Sequence, residues 1–268
     1  MLNEYWFEDF YIRHAIDEDP DCSLHTMHIH EQCEIYFFVS GDVEYLVEGV
    51  KYPLEEESLM LMRPGEAHVA RILNKETYER YAINFPLSFA SDIDPQGKLM
   101  RAFTQRPLGK NNKVTLSEQD KETVKRVFEK MSEQTDDYDR QLNIRTNLFT
   151  LLNLVSAAFD RGIDNVERPK EMGEKVVAYV NRHLFEDISV PDMAAHFYLS
   201  PSQFSRIFKH ATGAAPWEYV IRKRLTEAKE KIHSGEPVQS VAAGCGFRDY
   251  SSFYRAFKKY FGISPVNS

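Results

Sequence analysis

The first third of the chain alternates short apolar runs with turn-forming residues. β-Branched and aromatic side chains concentrate in Cys33–Val39, Val43–Val47, Ser58–Met62, His68–Ile72 and Tyr78–Phe85. Glycine and proline separate these runs, for example at Gly41, Gly49 and Pro64-Gly65. Several short strands at such spacing are typical of a sandwich or a small barrel. We therefore predict a β-barrel within residues 1–110.

From Ser117 onward the apolar residues recur with the spacing of an α-helix. They form one stripe in each of two segments: Val124, Val127, Phe128 and Met131, then Leu148, Leu151, Leu152, Val155 and Phe159. Such stripes either pack on the barrel or form a dimer interface, and both uses stay open. We favour at least partial use in a homodimer and assign residues 111–165 to a helical connector. Asp160–Pro169 is polar and ends in proline, which predicts a linker.

The last hundred residues have a helical pattern and contain an internal repeat. Phe204, Arg206, Phe208, Lys209 and Gly213 recur 49 positions later as Phe253, Arg255, Phe257, Lys258 and Gly262. Two copies are too few for a solenoid, so this period indicates duplication of a small helical unit. Each copy is predicted to be a short helix, a turn and a second helix. In the first copy, Ser200-Pro201-Ser202-Gln203 is a capping-box sequence that predicts the start of that second helix.

The second helix of each copy is predicted to bury aromatic side chains and to expose small polar and basic ones. Arginine can donate two hydrogen bonds to guanine and serine can contact base or phosphate, so such a face suits the major groove of DNA. A solvated helix face is the common alternative, but recurrence at matched positions favours DNA recognition. The predicted DNA-binding residues are Ser202, Gln203, Ser205, Arg206 and Lys209, and Tyr250, Ser251, Tyr254, Arg255 and Lys258.

A helical stretch of about seventeen residues, roughly 25 Å long, follows Pro216 and separates the two copies. A rigid spacer of that size can place two recognition helices about one DNA turn apart, roughly 34 Å. Arg222, Lys223 and Arg224 on this spacer are candidates for phosphate contact, although a solvated charge run is an equal alternative.

Charge is distributed unevenly between the two halves. The chain carries a net charge of −8. Residues 169–268 contain 14 Lys+Arg and 10 Asp+Glu, a net charge of +4. The remainder therefore contains 19 Lys+Arg and 31 Asp+Glu, a net charge of −12. This asymmetry permits a DNA-binding second half without establishing it.

Composition places the chain among ordinary soluble proteins, with 43% hydrophobic and 28% charged residues. No apolar run has the length of a membrane span, and the start lacks the pattern of a secretory signal. Cys22, Cys33 and Cys245 are scattered and odd in number, which argues against a disulfide framework or a zinc spacing. We therefore expect a cytoplasmic protein that does not bind membranes.

The residues from about Val176 to Pro265 resemble the DNA-binding domain of the AraC/XylS family of bacterial regulators. The matching elements are Leu199-Ser200 through Phe208-Lys209, Thr212-Gly213, Arg224-Leu225-x-x-Ala228, Val241-Ala242, Gly246-Phe247 and Phe257 through Pro265. The resemblance implies an all-α domain with two helix-turn-helix units over residues 166–268. It also implies that Ser202, Ser205 and Arg206, and Tyr250, Ser251, Tyr254 and Arg255, face the bases.

In the first half, His28-x-His30-x3-Glu34-x6-Gly41, with His68 in a later Gly-x-x-His, offers three imidazoles and a carboxylate. On a continuous strand His28, His30 and Glu34 point to one side, and the set suits a divalent transition metal such as zinc, iron, nickel or manganese. The spacing is similar to that of the cupin barrel, which implies a cupin-like effector domain. Residues 64 and 72 depart from that pattern. Metal binding and contact with an effector both stay open for these four residues, and no cofactor is certain.

The barrel is expected to bind a small-molecule effector, for which a carbohydrate is suggested by family analogy alone. The candidate effector-binding residues are His28, His30, Glu34, Tyr36, Phe38 and His68. Further aromatic candidates for a stacking surface are Trp6, Phe7, Tyr45, Tyr81 and Phe85, most of which should be core.

The predicted fold is thus α+β with two domains, and the predicted function is a non-enzymatic, effector-responsive regulator that binds double-stranded DNA. One alternative is a metal-dependent cupin enzyme fused to a helix-turn-helix domain. Another is a DNA-binding protein whose barrel only dimerises.

Overall fold

A computed structural model describes residues 1–23, 26–161 and 171–266. Its first part, up to Arg161, is β-rich. The strands are β1 (Leu2–Phe7), β2 (Phe10–Asp17), β3 (Cys33–Ser40), β4 (Val43–Val47), β5 (Val50–Pro53), β6 (Ser58–Met62), β7 (His68–Ile72), β8 (Tyr78–Phe85) and β9 (Lys113–Val114). The helices are α1 (Arg101–Thr104), α2 (Glu118–Ser132) and α3 (Asp137–Arg161).

The strands form two antiparallel sheets that enclose a barrel-like space. The larger sheet has the order β1-β2-β8-β3-β6-β9, and the smaller has the order β5-β4-β7. All five strands singled out from the sequence are present, and four have the predicted bounds, while β3 extends one residue further. β9 pairs with β6, so the sheet continues into the segment that was assigned to a helical connector.

The helices α2 and α3 pack against the larger sheet. Their apolar stripes belong to one core with residues of that sheet, such as Phe37, Ile83 and Phe85. Phe37 and Phe128 stack with ring centroids 5.7 Å apart. Both stripes are therefore buried within the chain, which is the intramolecular use left open above. Homodimerisation stays a prediction. Of the predicted linker, Asp160 and Arg161 end α3, and the rest lies outside the described residues.

In the second part of the chain, the described residues 171–266 form helices joined by short turns and loops, without strands. Its helices are α4 (Met172–Arg182), α5 (Val190–His196), α6 (Pro201–Thr212), α7 (Pro216–His233), α8 (Val238–Gly244) and α9 (Tyr250–Phe261). The predicted capping box is confirmed, since the Ser200 side chain accepts from the Gln203 backbone and the Gln203 side chain accepts from the Ser200 backbone. Asp249 caps α9 in the equivalent place.

The two helix-turn-helix units are α5–α6 and α8–α9, with α7 between them. Phe204 and Phe208 of α6 are fully buried, as are Phe253 and Phe257 of α9. The aromatic stripes predicted from the repeat thus form the cores of the two units.

Two of the three consecutive α7 cations that were candidates for phosphate contact are buried, so neither phosphate contact nor a solvated charge run describes them. Lys223 is 8% exposed and Arg224 is 3% exposed. Lys223 donates to Glu48 and Gly65 of the β-rich part, while Arg224 donates to three backbone carbonyls within the helical part. Buried charges need such partners, and these partners lie far away in the sequence.

Candidate functional site

The polar faces of α6 and α9 lie at the surface. Ser202, Arg206 and Lys209 of α6 are exposed and Ser205 is half-buried. On α9, Tyr250, Ser251, Arg255 and Lys258 are exposed and Tyr254 is half-buried. Gln203 is also exposed, but its side-chain oxygen accepts from the Ser200 backbone at 3.0 Å, so it is held at the helix start. The DNA-binding residues proposed from the sequence therefore share one exposed face in each unit.

A cavity of about 710 Å³ lies between the two sheets. Five of the six candidate effector residues line it, namely His28, His30, Glu34, Tyr36 and His68. Phe38 does not line the cavity; it is 1% exposed and packs in the core beside Tyr78. Of the additional aromatic candidates, Trp6 and Tyr45 line the cavity, whereas Phe7, Tyr81 and Phe85 belong to the core beneath the larger sheet.

Several further polar side chains that the sequence does not single out also line this cavity, among them Arg13, Arg80 and Asn84. Arg80 and Asn84 alternate with buried apolar residues along β8. This alternation is the sequence signal that could have predicted that both polar side chains share one face of the strand. Arg80 pairs with Asp17 and lies over the Tyr78 ring, with its Cζ atom 4.1 Å from the ring centroid.

His30, Glu34 and His68 form a cluster at the cavity wall, and we call them the histidine cluster. Their ligand atoms all lie within 4.8 Å of one another. His30 Nε2 lies 2.8 Å from Glu34 Oε2, and His68 Nε2 lies 3.6 Å from the same oxygen. His28 lines the cavity but is not a member; its backbone pairs with that of His68, and the two rings are 5.8 Å apart.

The sequence suggested that these residues face the same side because they lie on one continuous strand. The structure shows no such strand across the described residues 28–34. β3 begins only at Cys33, and the chain bends at residues 31–32. His28 is placed instead by its bridge to β7.

Backbone carbonyls determine which ring nitrogens of the histidine cluster face Glu34. His30 Nδ1 lies 2.8 Å from the carbonyl of Gln32, and His68 Nδ1 lies 2.9 Å from the carbonyl of Glu66. A carbonyl only accepts, so both Nδ1 atoms donate, and a neutral ring then presents an Nε2 lone pair to the carboxylate. Acceptors this close need a proton or a cation between them.

The electrostatics of the cluster agree with this geometry. Burial alone would raise the pKa of Glu34, but the hydrogen bonds from His30 and His68 hold it well below its usual range. Burial alone would lower the pKa of His68, yet the neighbouring Glu34 carboxylate raises it. Burial and the neighbouring His68 lower the pKa of His28 to about 4, so His28 is neutral at pH 7.

The loop that leads into β7 is fixed by a second buried group. Glu66 and Arg106 are fully buried, and Arg106 Nη2 lies 2.5 Å from Glu66 Oε2. Gly109 and Asn112 also donate to Glu66, at 2.8 and 3.0 Å. These bonds hold the Glu66 backbone, whose carbonyl orients His68.

Residues 12–152 match the model of a family described as AraC-like ligand binding domain, and residues 193–267 match that of a helix-turn-helix domain. The chain belongs to the AraC family. This AraC-family chain is a transcription regulator with a ligand-binding domain followed by a DNA-binding domain. We use these two names for the β-rich and helical parts from here on.

Known proteins resemble the chain over different spans. A probable transcriptional regulator, LumQ of Photobacterium leiognathi, is 28% identical over 247 residues, which is 90% of both chains. The regulatory protein PocR of Salmonella typhimurium is 34% identical over 93 residues, or 34% of this chain and 31% of its own length. The solved DNA-binding domain of AdpA in complex with a target DNA has 33% identity and a TM-score of 0.35, and covers 37% of this chain and 89% of its own.

None of the described helices combines the length and the apolar character needed to cross a membrane.

Proposed function

We propose that this regulator reads DNA through α6 and α9 and changes its DNA binding when a small molecule occupies the cavity. The main support is the pair of matched, exposed Ser/Arg faces on helices joined by α7. Two such helices on one rigid spacer can enter successive major grooves. Both helices begin at a side-chain cap, but bulky Tyr250 and Tyr254 flank Arg255 on α9, so we expect α6 to discriminate bases more strongly.

The test uses a duplex enriched from a random pool by the full-length protein. Arg206→Ala should weaken binding to that duplex by about 1–3 kcal/mol, since a base-reading arginine contributes that much. Lys209→Ala should mainly lower the salt dependence of binding. Arg126→Ala, which removes an exposed charge from α2, is the control. Equal affinities for the Arg206→Ala and Arg126→Ala proteins would refute the assignment of the recognition helix.

For the effector we propose a small polar ring compound, with a sugar as the first class to test. Tyr36 and Tyr45 offer ring faces, and Arg13, Asn84 and the histidine cluster offer hydrogen-bonding groups on the same cavity. Sugars stack on aromatic faces and hydrogen-bond through their hydroxyls. A panel of sugars and sugar acids, screened by thermal shift, should show stabilisation that is lost in Tyr45→Ala.

We further propose that the histidine cluster binds a divalent transition metal through His30, Glu34 and His68. The support is that the Nε2 atoms of His30 and His68 both face the Glu34 carboxylate, so that a cation or a proton has to lie between them. A bound metal would supply a Lewis-acidic anchor for an oxygen of the effector.

Elemental analysis of protein purified without a chelator or a histidine tag should find about one metal per chain. His68→Ala should lose the metal. His14→Ala should keep it, because His14 pairs with Glu79 and does not line the cavity. A metal-free wild-type protein that also fails to take up added Zn²⁺, Ni²⁺, Fe²⁺ or Mn²⁺ would exclude the site.

The position of the cluster on an open cavity also favours a second function, a metal-dependent enzyme fused to a DNA-binding domain. An enzyme would consume its ligand, whereas a regulator returns it unchanged after the DNA affinity has shifted. Mass spectrometry of the ligand after prolonged incubation with the protein distinguishes the two.

A further inference from the structure

The smaller sheet, β5-β4-β7, separates the cavity from the DNA-binding domain. Tyr45 of β4 and His68, Ala70 and Ile72 of β7 line the cavity. Side chains alternate between the two faces of a strand, so their neighbours point away from the cavity. We call this outer surface, with Leu46, Glu48 and Arg71, the docking face.

Glu48 is the centre of the docking face. It lies in the two-residue turn between β4 and β5, where Glu48 and Gly49 both have positive φ, 50° and 79°. This tight turn directs the carboxylate into the DNA-binding domain, where it meets Lys223 Nζ at 2.6 Å and Asn181 Nδ2 at 2.7 Å. Tyr219 also donates to it. Glu48 is 5% exposed and Lys223 is 8% exposed, so the pair is shielded from water.

The same contacts reach back to the histidine cluster. Glu48 Oε1 accepts from the backbone N–H of Ala67 at 2.7 Å, and Lys223 donates to the carbonyl of Gly65 at 2.6 Å. Gly65 in turn donates to the carbonyl of His30 at 2.9 Å. Hence the loop before His68 is bonded to the cluster on one side and to α7 on the other.

The docking face also contacts the first recognition helix. Arg71 of β7 pairs with Glu44 at 2.7 Å and donates to the carbonyl of His210 near the end of α6. A cleft of about 280 Å³ separates Leu46 and Gly49 from Arg206 and Ile207. One flank of α6 therefore lies against the smaller sheet.

This arrangement conflicts with the insertion of α6 into DNA. A helix with its side chains is about 10–12 Å across, and the major groove is about 12 Å wide, so sugar–phosphate backbones run along both flanks of an inserted helix. In the structure β4 and the β4–β5 turn face one of those flanks across the cleft, on the side where a sugar–phosphate backbone would run. The ligand-binding domain also belongs to the acidic part of the chain, which repels phosphate.

We propose that the smaller sheet transmits effector binding to the DNA-binding domain. A ligand on its inner face displaces β4 and β7, and the displacement breaks the Glu48–Lys223 and Arg71–His210 contacts on the docking face. The released α6 then gains access to the groove. This mechanism rests on the proposed function and adds the element that carries the signal.

The first experiment removes the buried ion pair of the docking face and compares the DNA affinity of this variant with that of a variant lacking a matched ion pair. Glu48→Gln/Lys223→Met removes the pair of the docking face without changing the net charge. The control, Glu31→Gln/Lys229→Met, removes an ion pair of 2.9 Å that also joins α7 to the ligand-binding domain but lies outside the sheet. The first variant should bind the enriched duplex about fivefold or more tightly than wild type, which is the lower end of measured couplings between sites, while the control should not.

Equal affinities of the two double variants, or a loss in the first, would overturn the proposal. Arg71→Met is an independent variant that removes the contact of the docking face with His210. It should also raise the affinity for the duplex. Hydrogen exchange of β4 and β7 amides, measured without DNA, should rise in the docking-face variants only. If the wild-type protein enriches no duplex, the proposed function fails, and the exchange comparison still decides whether the sheet holds the domains together.

A second experiment tests the connection between the two faces. Ala70→Phe places a ring on the inner face of the sheet and should raise DNA affinity in the wild-type background. In the Glu48→Gln/Lys223→Met background it should have no further effect, since the contacts are already broken. Independent, additive effects in the combined variant, or no effect in the wild-type background, would exclude transmission through the sheet.

Discussion

At the scale of single residues, the two helix-turn-helix turns solve the same backbone problem differently. Tyr198 in the first turn has φ of 56° and Gly246 in the second has φ of 78°. Tyr198 is 99% exposed, so its side chain fits despite the left-handed backbone. A Cβ atom at Gly246 would lie 2.7 Å from the Phe185 carbonyl oxygen and 2.9 Å from Cζ of Arg224. Only the second turn requires glycine for space as well as for conformation.

We expect Gly246→Ala to lower the free energy of unfolding by about 2 kcal/mol or more, because strain at positive φ adds to a backbone clash. Gly244→Ala, two residues away, is the control, since a Cβ there meets nothing within 4 Å. It should change stability by less than about 1 kcal/mol. Urea unfolding of both variants measures the difference, and equal stabilities would contradict this account.

Residue-level expectations held where local pattern determines the outcome and failed where distant partners do. The capping box at Ser200 follows from four adjacent residues and is present. Lys223 was expected at the surface, but it is buried because Glu48, 175 positions away in sequence, provides a countercharge. Phe38 lies two residues after Tyr36 on β3, so both are expected on the same face, but Phe38 packs in the core rather than on the cavity. Alternation along a strand predicts the face of a residue and not its distance from the cavity.

At the scale of secondary-structure elements, α7 was predicted as a spacer, and its contacts show how it orients both units. Arg224 donates to the carbonyls of Leu184 and Glu186 on one side, each at 2.7 Å, and to the carbonyl of Gly246 on the other at 2.6 Å. One guanidinium thereby connects the segment between α4 and α5 to the turn of the second unit. We expect the relative position of α6 and α9 to depend on it.

Arg224→Met should lower the free energy of unfolding by about 3 kcal/mol, since three shielded or partly shielded carbonyls lose a charged donor. Arg248→Met is the matched control, because Arg248 pairs with Asp187 at the exposed surface and should matter little. The Arg224→Met protein should lose more affinity for a duplex with both half-sites than for one with only the α6 half-site. Equal losses on both duplexes would show that Arg224 does not set the spacing.

The strands show the same division between local and distant causes. β4, β6, β7 and β8 have the predicted bounds because their β-branched and aromatic runs end at turn residues. β1 and β2 were not singled out, since their runs mix charged residues with apolar ones on half-exposed strands. β9 has only two residues and depends on its pairing with β6, which no local pattern predicts.

At the scale of the whole molecule, the two domains share part of one core. Met27, Ile29 and Ala67 of the ligand-binding domain pack in the same apolar cluster as α4, α6 and α7. Domains joined only by a linker unfold independently, whereas a shared core couples their unfolding.

The wild-type chain should therefore unfold in a single calorimetric transition. Met27→Ala, which removes a side chain that is 3% exposed, should cost about 3 kcal/mol and separate the two domains into distinct transitions. Two resolved transitions already in the wild-type protein would show that the shared cluster contributes little.

The distribution of the three cysteines gives the chain a natural labelling site. Cys33 and Cys245 are fully buried, and burial raises the pKa of both thiols, to about 11 for Cys245. Cys22 is half-buried and adjoins Asp21, which lines the cavity. A thiol-reactive fluorophore should therefore attach at Cys22 in the folded protein without any engineered cysteine. Such a dye would lie beside the cavity and should report its filling in real time, even before the identity of the natural effector is known.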